Sequence, residues 1–178
     1  MNFSPSAKGG QTRLAFADAI DCFIRGIGHV VCWANAALIA VIIAQVMLRY
    51  GFGAGKVALE ELQWHLYALA VMMGVSYAQV ANSHIRVDVI ANRFSPRATR
   101  CWEVFGILVF ALPFVVVVLM HSLDFLAESW RLGERSDAPL GLPWRWAIKS
   151  VIPISFGLLG LALVSRLVRE LAGLMRKD

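Results

Sequence analysis

This sequence is short of charge. Only 16% of its 178 residues are Asp, Glu, Lys or Arg, where a soluble domain carries roughly a quarter. The deficit is concentrated. No charged residue falls within 27–48, 62–83 or 104–121, and a fourth apolar stretch, 146–165, is interrupted only by Lys149. About 20 apolar residues of helix cross the hydrocarbon core of a bilayer. The pattern therefore predicts an all-α integral membrane protein with four transmembrane helices, at about 27–48, 60–82, 102–123 and 146–165. The gaps between these spans are too short to hold a catalytic domain of ordinary size.

Other absences narrow the function. The three cysteines, Cys22, Cys32 and Cys101, form no C-x-x-C pair, so reduced structural thiols are expected. There is no H-E-x-x-H zinc motif. The predicted spans contain no Asp or Glu in their interiors. An intramembrane carboxylate is the usual mark of a proton or cation pathway, so a self-sufficient small exporter is disfavoured. Spans 1–2 and 3–4 share no motif, which argues against an inverted-repeat transporter in one chain. No enzyme, no cofactor and no nucleic-acid partner is expected. The net charge of +5 serves topology instead.

The positive charges are unevenly placed. Lys8, Arg13, Arg25, Arg86, Arg93, Arg97, Arg100, Arg166, Arg169, Arg176 and Lys177 make eleven on one side; Arg49, Lys56, Arg131, Arg135, Arg145 and Lys149 make six on the other. The richer side is cytoplasmic, which puts both termini inside the cell (N-in/C-in). Residues 1–12 lack the apolar core of a cleaved signal, so span 1 is expected to remain as an anchor. Residues 1–26 then form a cytoplasmic tail with an amphipathic interfacial helix, 27–168 the four-helix membrane domain, and 169–178 a second tail. In the interfacial helix, Phe16, Ile20, Phe23 and Ile27 recur at helical spacing while Asp18, Asp21 and Arg25 share another face. The segment HIRVDVIANRFSP predicts a second short interfacial helix. Ser95-Pro96 caps span 3, which continues as one helix of about 38 residues towards Gly133. Pro113 and Pro153 are expected to bend spans 3 and 4. The turn SDAPLGLPWRW sets two tryptophans at the level of an aromatic belt.

Several polar residues are candidates for more than structure. Glu60 and Glu61 open span 2. They can favour the helix dipole, pair with Arg49 or Lys56, or meet a cation on a partner, and the last is expected of at least one of them. A metal reading needs Glu-x-x-His from two helices, whereas Glu61 and His65 are four apart and occur once. Four histidines offer a second class of function: His29 with His84 and His65 with His121 could hold two b-type haems of a membrane electron carrier. Each lies near a span end, where it can stay hydrated. Asn35, Gln45, Gln79 and Asn82 suit hydrogen bonds between helices. Ala70, Gly74 and Ala78 form a stripe of small residues, and Gly157 and Gly160 another; both permit close helix approach, within the chain or against a partner.

The stretches QVMLRYGFG, LEELQWHLYALAVMMGVSYA, HIRVDVI and PLGLPWRWAIKSVIPISFGLLGLALV together resemble the DctQ-like small membrane subunit of TRAP (tripartite ATP-independent periplasmic) transporters, over about residues 40–168. The resemblance implies an accessory scaffold of the bacterial inner membrane. Its partners would be a large membrane subunit, which moves an organic acid by a sodium-driven elevator motion, a periplasmic substrate-binding protein, and membrane lipids. Arg49, Glu60, Glu61, His84, Arg86 and Asp88 match the family's recurring polar positions. Gln63, Trp64 and His65 depart from the commoner pattern, as does Asn82-Ser83. The Gln-Trp-His variant resembles a branch associated with 2-oxo acids. His84, Arg86 and Asp88 are expected to join span 2 to the following segment.

Overall fold

The computed structural model describes residues 15–81 and 95–175. They are helical almost throughout, with no strand among them. α1 runs Ala15–Val46 and widens into a π turn at Met47–Gly51; α2 is Val57–Val80. α3, Pro96–Gly106, continues through a second π turn, Ile107–Ala111, into α4, Leu112–Arg131; α5 is Arg145–Met175. The expected interfacial helix after 81 lies outside the described residues, as do His84, Arg86 and Asp88 and the link drawn between span 2 and the next segment.

Among the described residues, three helices are long and apolar enough to cross a membrane: Ala15–Gly51, Arg97–Arg131 and Arg145–Met175. α2 has the length, at 24 residues, but Gln63, His65, Ser76 and Gln79 dilute its apolar run. The amphipathic stretch at the start of α1 does not form a separate helix. It is continuous with the apolar part, and Asp18 and Asp21 on its polar face find partners on α5.

Helix ends follow local chemistry. Ser95 is extended and its hydroxyl accepts the Ala98 N–H at 3.3 Å, with proline in the first turn. The long α3–α4 helix stops where Gly133 takes a left-handed conformation (φ 58°). There the Gly133 N–H donates to the Trp130 carbonyl and the Glu134 N–H to that of Ser129, the paired bonds of a Schellman motif. The second π turn sits just ahead of Pro113, and the Leu112 N–H donates five residues back to Ile107. Proline supplies no donor and its ring crowds the preceding turn; widening that turn accommodates it. Pro153 lies buried within a continuous α5.

α5 is the hub. α1 and α2 pack along one another and both touch α5, while α3 and α4 pack chiefly on α5. Two apolar clusters flank it. Ile24, Met73, Val80, Val151, Leu158 and Ala162 form the first; Ile107, Val115 and Leu163 form the second. A Cβ on Gly28 would collide with the Tyr77 ring, so the ring packs directly on the α1 backbone there. Ser76 in α2 donates to the Ser155 carbonyl at 2.9 Å, both buried. By contrast, a Cβ at Gly74 or Gly157 would meet nothing within 4 Å, and one at Gly160 only Val115 at 3.4 Å. Among the described residues, neither Gly74 nor Gly157 is used for close approach.

Candidate interaction surfaces

One end of the helices carries the turns α1–α2 and α4–α5. Glu60 lies in the first turn of α2, where its Oε1 accepts from Arg49 Nη1 at 2.8 Å and from Gln45 Nε2 at 3.2 Å. Gln45 is buried, and its own oxygen takes the Lys56 N–H at 3.2 Å. The α1–α2 turn is thus closed by Gln45, with Arg49 and Glu60 on its outer side. Trp64 is exposed and meets Tyr67 edge-on; Gln63 is half-buried.

Glu61 faces the other way, onto the α4–α5 loop. One carboxylate oxygen accepts from the Ser136 hydroxyl and the other from the Leu142 N–H at 2.5 Å. The loop is further fixed by Glu134, which accepts from Ser129 Oγ at 2.6 Å and from Lys149 Nζ. These two donors, with the lysine foremost, hold the Glu134 carboxyl below the usual carboxylate range. Lys149 also lies 3.8 Å over the Phe125 ring. Arg145 pairs with Asp137 at 2.8 Å. Trp130 and Trp146 pack edge to face at 4.5 Å. With Gly133, Glu134, Arg135 and Trp144 they line a shallow cavity of about 240 Å³.

The opposite end gathers the start of α1, the start of α3 and the end of α5. Arg169, with only 10% of its side chain exposed, donates to Asp18 at 2.8 Å and to Asp21 at 2.7 Å. The buried Ser165 hydroxyl donates to Asp21 at 2.8 Å, with the Ala17 carbonyl also within reach at 3.2 Å. Arg166 pairs with Glu103 at 2.8 Å. The Arg100 guanidinium lies against Gly173, where any Cβ would overlap it.

Of the residues singled out from sequence, Arg49 and Glu60 meet directly, and Glu61 joins them at the same end. Sequence reasoning missed Ser136, Glu134 and Lys149 as a set. The available signal was Lys149 itself, a lone cation in an apolar run, which calls for a nearby carboxylate. It also missed Arg169 with Asp21; the acidic face of α1 and the arginines ending α5 were the hint. The haem reading gains no support. His65 Nδ1 is 2.5 Å from the Glu61 carbonyl of its own helix and His121 Nδ1 is 2.9 Å from that of Val117. His65 and His121 stand on α2 and α4, which are not principal packing partners. No cluster of three or more His, Cys, Asp or Glu side chains suited to a metal is found among the described residues.

Long apolar helices whose polar contacts gather at their two ends define a helical membrane component. Its family can be stated. Residues 38–173 match the DctQ component of tripartite ATP-independent periplasmic transporters, and the chain belongs to that family. A Haemophilus influenzae protein named as a TRAP transporter small permease protein is 27% identical over 126 residues, covering 68% of this chain and 73% of the relative. The chain is thus a small membrane component of a TRAP transporter.

Proposed function

We propose that the chain is a scaffold subunit with four spans, α2 being the second, and with both termini in the cytoplasm of a bacterium with an inner membrane. It binds the large transport subunit and helps receive a periplasmic substrate-binding protein at the end bearing Glu61 and the α4–α5 loop. Uptake is of an organic acid and is coupled to sodium. The observation that carries this reading is the exposure of α1 and α3–α4. Val30, Trp33, Ile39, Ile43 and Met47 on α1, and Trp102, Phe110, Phe114, Val117 and Met120 on α3–α4, are all largely uncovered. Exposed apolar area of this extent calls for lipid or a membrane partner. The stripe of Ala70, Gly74 and Ala78, unused for close approach at Gly74, suits a second helix from that partner.

The charge asymmetry supports the orientation. Loop-end polar residues that hold a turn and a loop in shape support a docking role. The test is to tag this chain, co-purify its membrane partner, and compare sodium-driven uptake in proteoliposomes with and without it. Recovery of a large membrane subunit, with uptake that needs both chains, is expected. Transport by this chain alone would overturn the accessory role. Orientation is read separately, after replacing Cys22, Cys32 and Cys101. Cysteines placed at Gly55 and Ala138 should label from outside, and one at Ala98 should not; outside labelling at 98 would reverse the topology.

A further inference from the structure

The α4–α5 loop combines strain, exposure and anchoring. Leu140 and Trp144 both adopt the left-handed region (φ 66° each), which is unfavourable for bulky L-residues. Leu140 is also 91% exposed. A flexible loop would relax both features; this one is held. The Ser136 N–H donates to the Leu142 carbonyl at 3.3 Å, and the Gly141 N–H to that of Ala138 at 3.0 Å. Glu61, from α2, takes the Ser136 hydroxyl and the Leu142 N–H in its two carboxylate oxygens. Gly141 follows Leu140 because a side chain there would run into Ser136 and the Glu61 carboxylate. Strained residues persist only where their surroundings over-determine them, and such sites concentrate at ligand clamps and contact points.

Lipid does not account for the exposed leucine. Residues 134–145 carry Glu134, Arg135, Asp137 and Arg145, a density of charge that belongs in water. The helix beneath is long enough to lift them there. Arg97–Arg131 spans 35 residues, about 52 Å at 1.5 Å per residue, against a hydrocarbon core of about 30 Å. Its last turns carry Asp124, Glu128 and Arg131. Arg135 lines the tryptophan cavity beside Leu140's loop and has no acceptor among the described residues. Glu134, Asp137 and Glu128, by contrast, already have cationic partners.

We infer that Leu140 is a docking knob, held out by Glu61 for a soluble periplasmic protein whose face offers an apolar recess for the leucine and carboxylates for Arg135. This rests on the reading above that the loop end faces the periplasm of a binding-protein-dependent transporter, and the occupant is that binding protein. Glu61 is a positioning residue for the knob.

The test uses the complex of this chain with its large subunit in nanodiscs, and the transporter's own purified binding protein. Three readouts are taken: affinity, co-purification of the large subunit, and thermal midpoint. Leu140→Gly relieves the left-handed strain and removes the knob. It should leave the midpoint unchanged or higher while weakening binding about tenfold, the scale of a lost interface anchor. Leu140→Asp should weaken binding at least as much, and Arg135→Glu should weaken it and flatten its salt dependence. Normal affinity in all three variants overturns the proposal. So does loss of the large subunit from Leu140→Asp, which would give the surface to the membrane partner. Strong quenching at Leu140→Cys by lipid-chain probes would place the knob in the bilayer and overturn it too. If the wild-type chain retains no large subunit, the underlying reading fails, and the proposal with it.

Discussion

The two ends of the helices use the same charged side chains for different purposes. At the end formed by α1, α3 and α5, Arg169, Asp21, Arg166 and Glu103 are mostly covered and each pair crosses from one helix to another. At the loop end, Arg49 with Glu60 and Arg145 with Asp137 stand largely in the open, and Glu61 and Glu134 shape a turn or a loop. One end fastens helices and the other shapes a surface. A covered ion pair is costly to break because its survivor stays desolvated. An exposed one is replaced by water at little cost. The ends should therefore differ in how they respond to the loss of a single charge.

The largest expected effect is at the fastening end. Arg169→Met leaves Asp21, with only 19% of its side chain exposed, against α5 with no cation. The expected loss is about 3–5 kcal/mol, read as a lower thermal midpoint and poorer yield of the purified complex. Arg169→Met combined with Asp21→Asn should recover part of it, since only Asp18, about half exposed to solvent, then lacks its partner. Equal loss in the single and double variants would show that the pair does not fasten α1 to α5.

A local effect comes next, at the loop end. Glu61→Ala removes the acceptor for Ser136 and Leu142 but breaks no contact between buried helices. The Leu142 amide should exchange about tenfold faster, with the global midpoint little changed. Acid should loosen the same loop through Glu134. Its folded carboxyl titrates lower than in the unfolded chain, so its contribution is complete above about pH 5 and fades as pH falls through about 4 and below. Fluorescence of Trp130 and Trp146 followed from pH 6 to 3 should report this. Lys149→Met should move the transition upward, because the main group depressing the carboxyl is gone. An unchanged transition in that variant would remove Lys149 from the loop's support.

Helix content was legible because it follows from local rules: charge-free runs, a Ser-Pro start and a Gly133 stop. Arg49 with Glu60 was one of several pairings the short turn allowed, and it is the one the structure shows. What lies between distant parts of the chain was not legible. Glu61 and Leu142 are 81 positions apart, and Arg169 and Asp21 148 apart; sequence spacing says nothing about which helix faces meet. Glycines show the same gap. Gly74 sits in a recognisable stripe of small residues, yet the close approach is made by Gly28 against Tyr77, where no stripe marks it. α2 shows a different limit: its polar residues dilute a helix that still packs between α1 and α5, because burial against neighbours can replace an apolar surface.

The smallest expected effect separates turn structure from subunit contact. Glu60 pairs with Arg49 in a site where their side chains remain 44% and 60% exposed, so the pair contributes about 0–1 kcal/mol. Glu60→Gln keeps an oxygen that can still accept from Gln45 or Arg49, and Gln45 still takes the Lys56 N–H. The isolated chain should therefore change its midpoint hardly at all. In the complex the outcome depends on what covers Glu60. If only water and Arg49 face it, co-purification of the large subunit and uptake stay near normal. If a cation of the large subunit also reaches it, the carboxylate is desolvated on assembly, and losing its charge costs about 3–5 kcal/mol, seen as a much weaker complex. The expected result is the second: Trp64, one turn along α2 and exposed, would shut out water once a partner helix lies over it. Normal assembly in Glu60→Gln would leave Arg49–Glu60 as the outer stitch of a turn, and would confine the contact surface of this end to the α4–α5 loop.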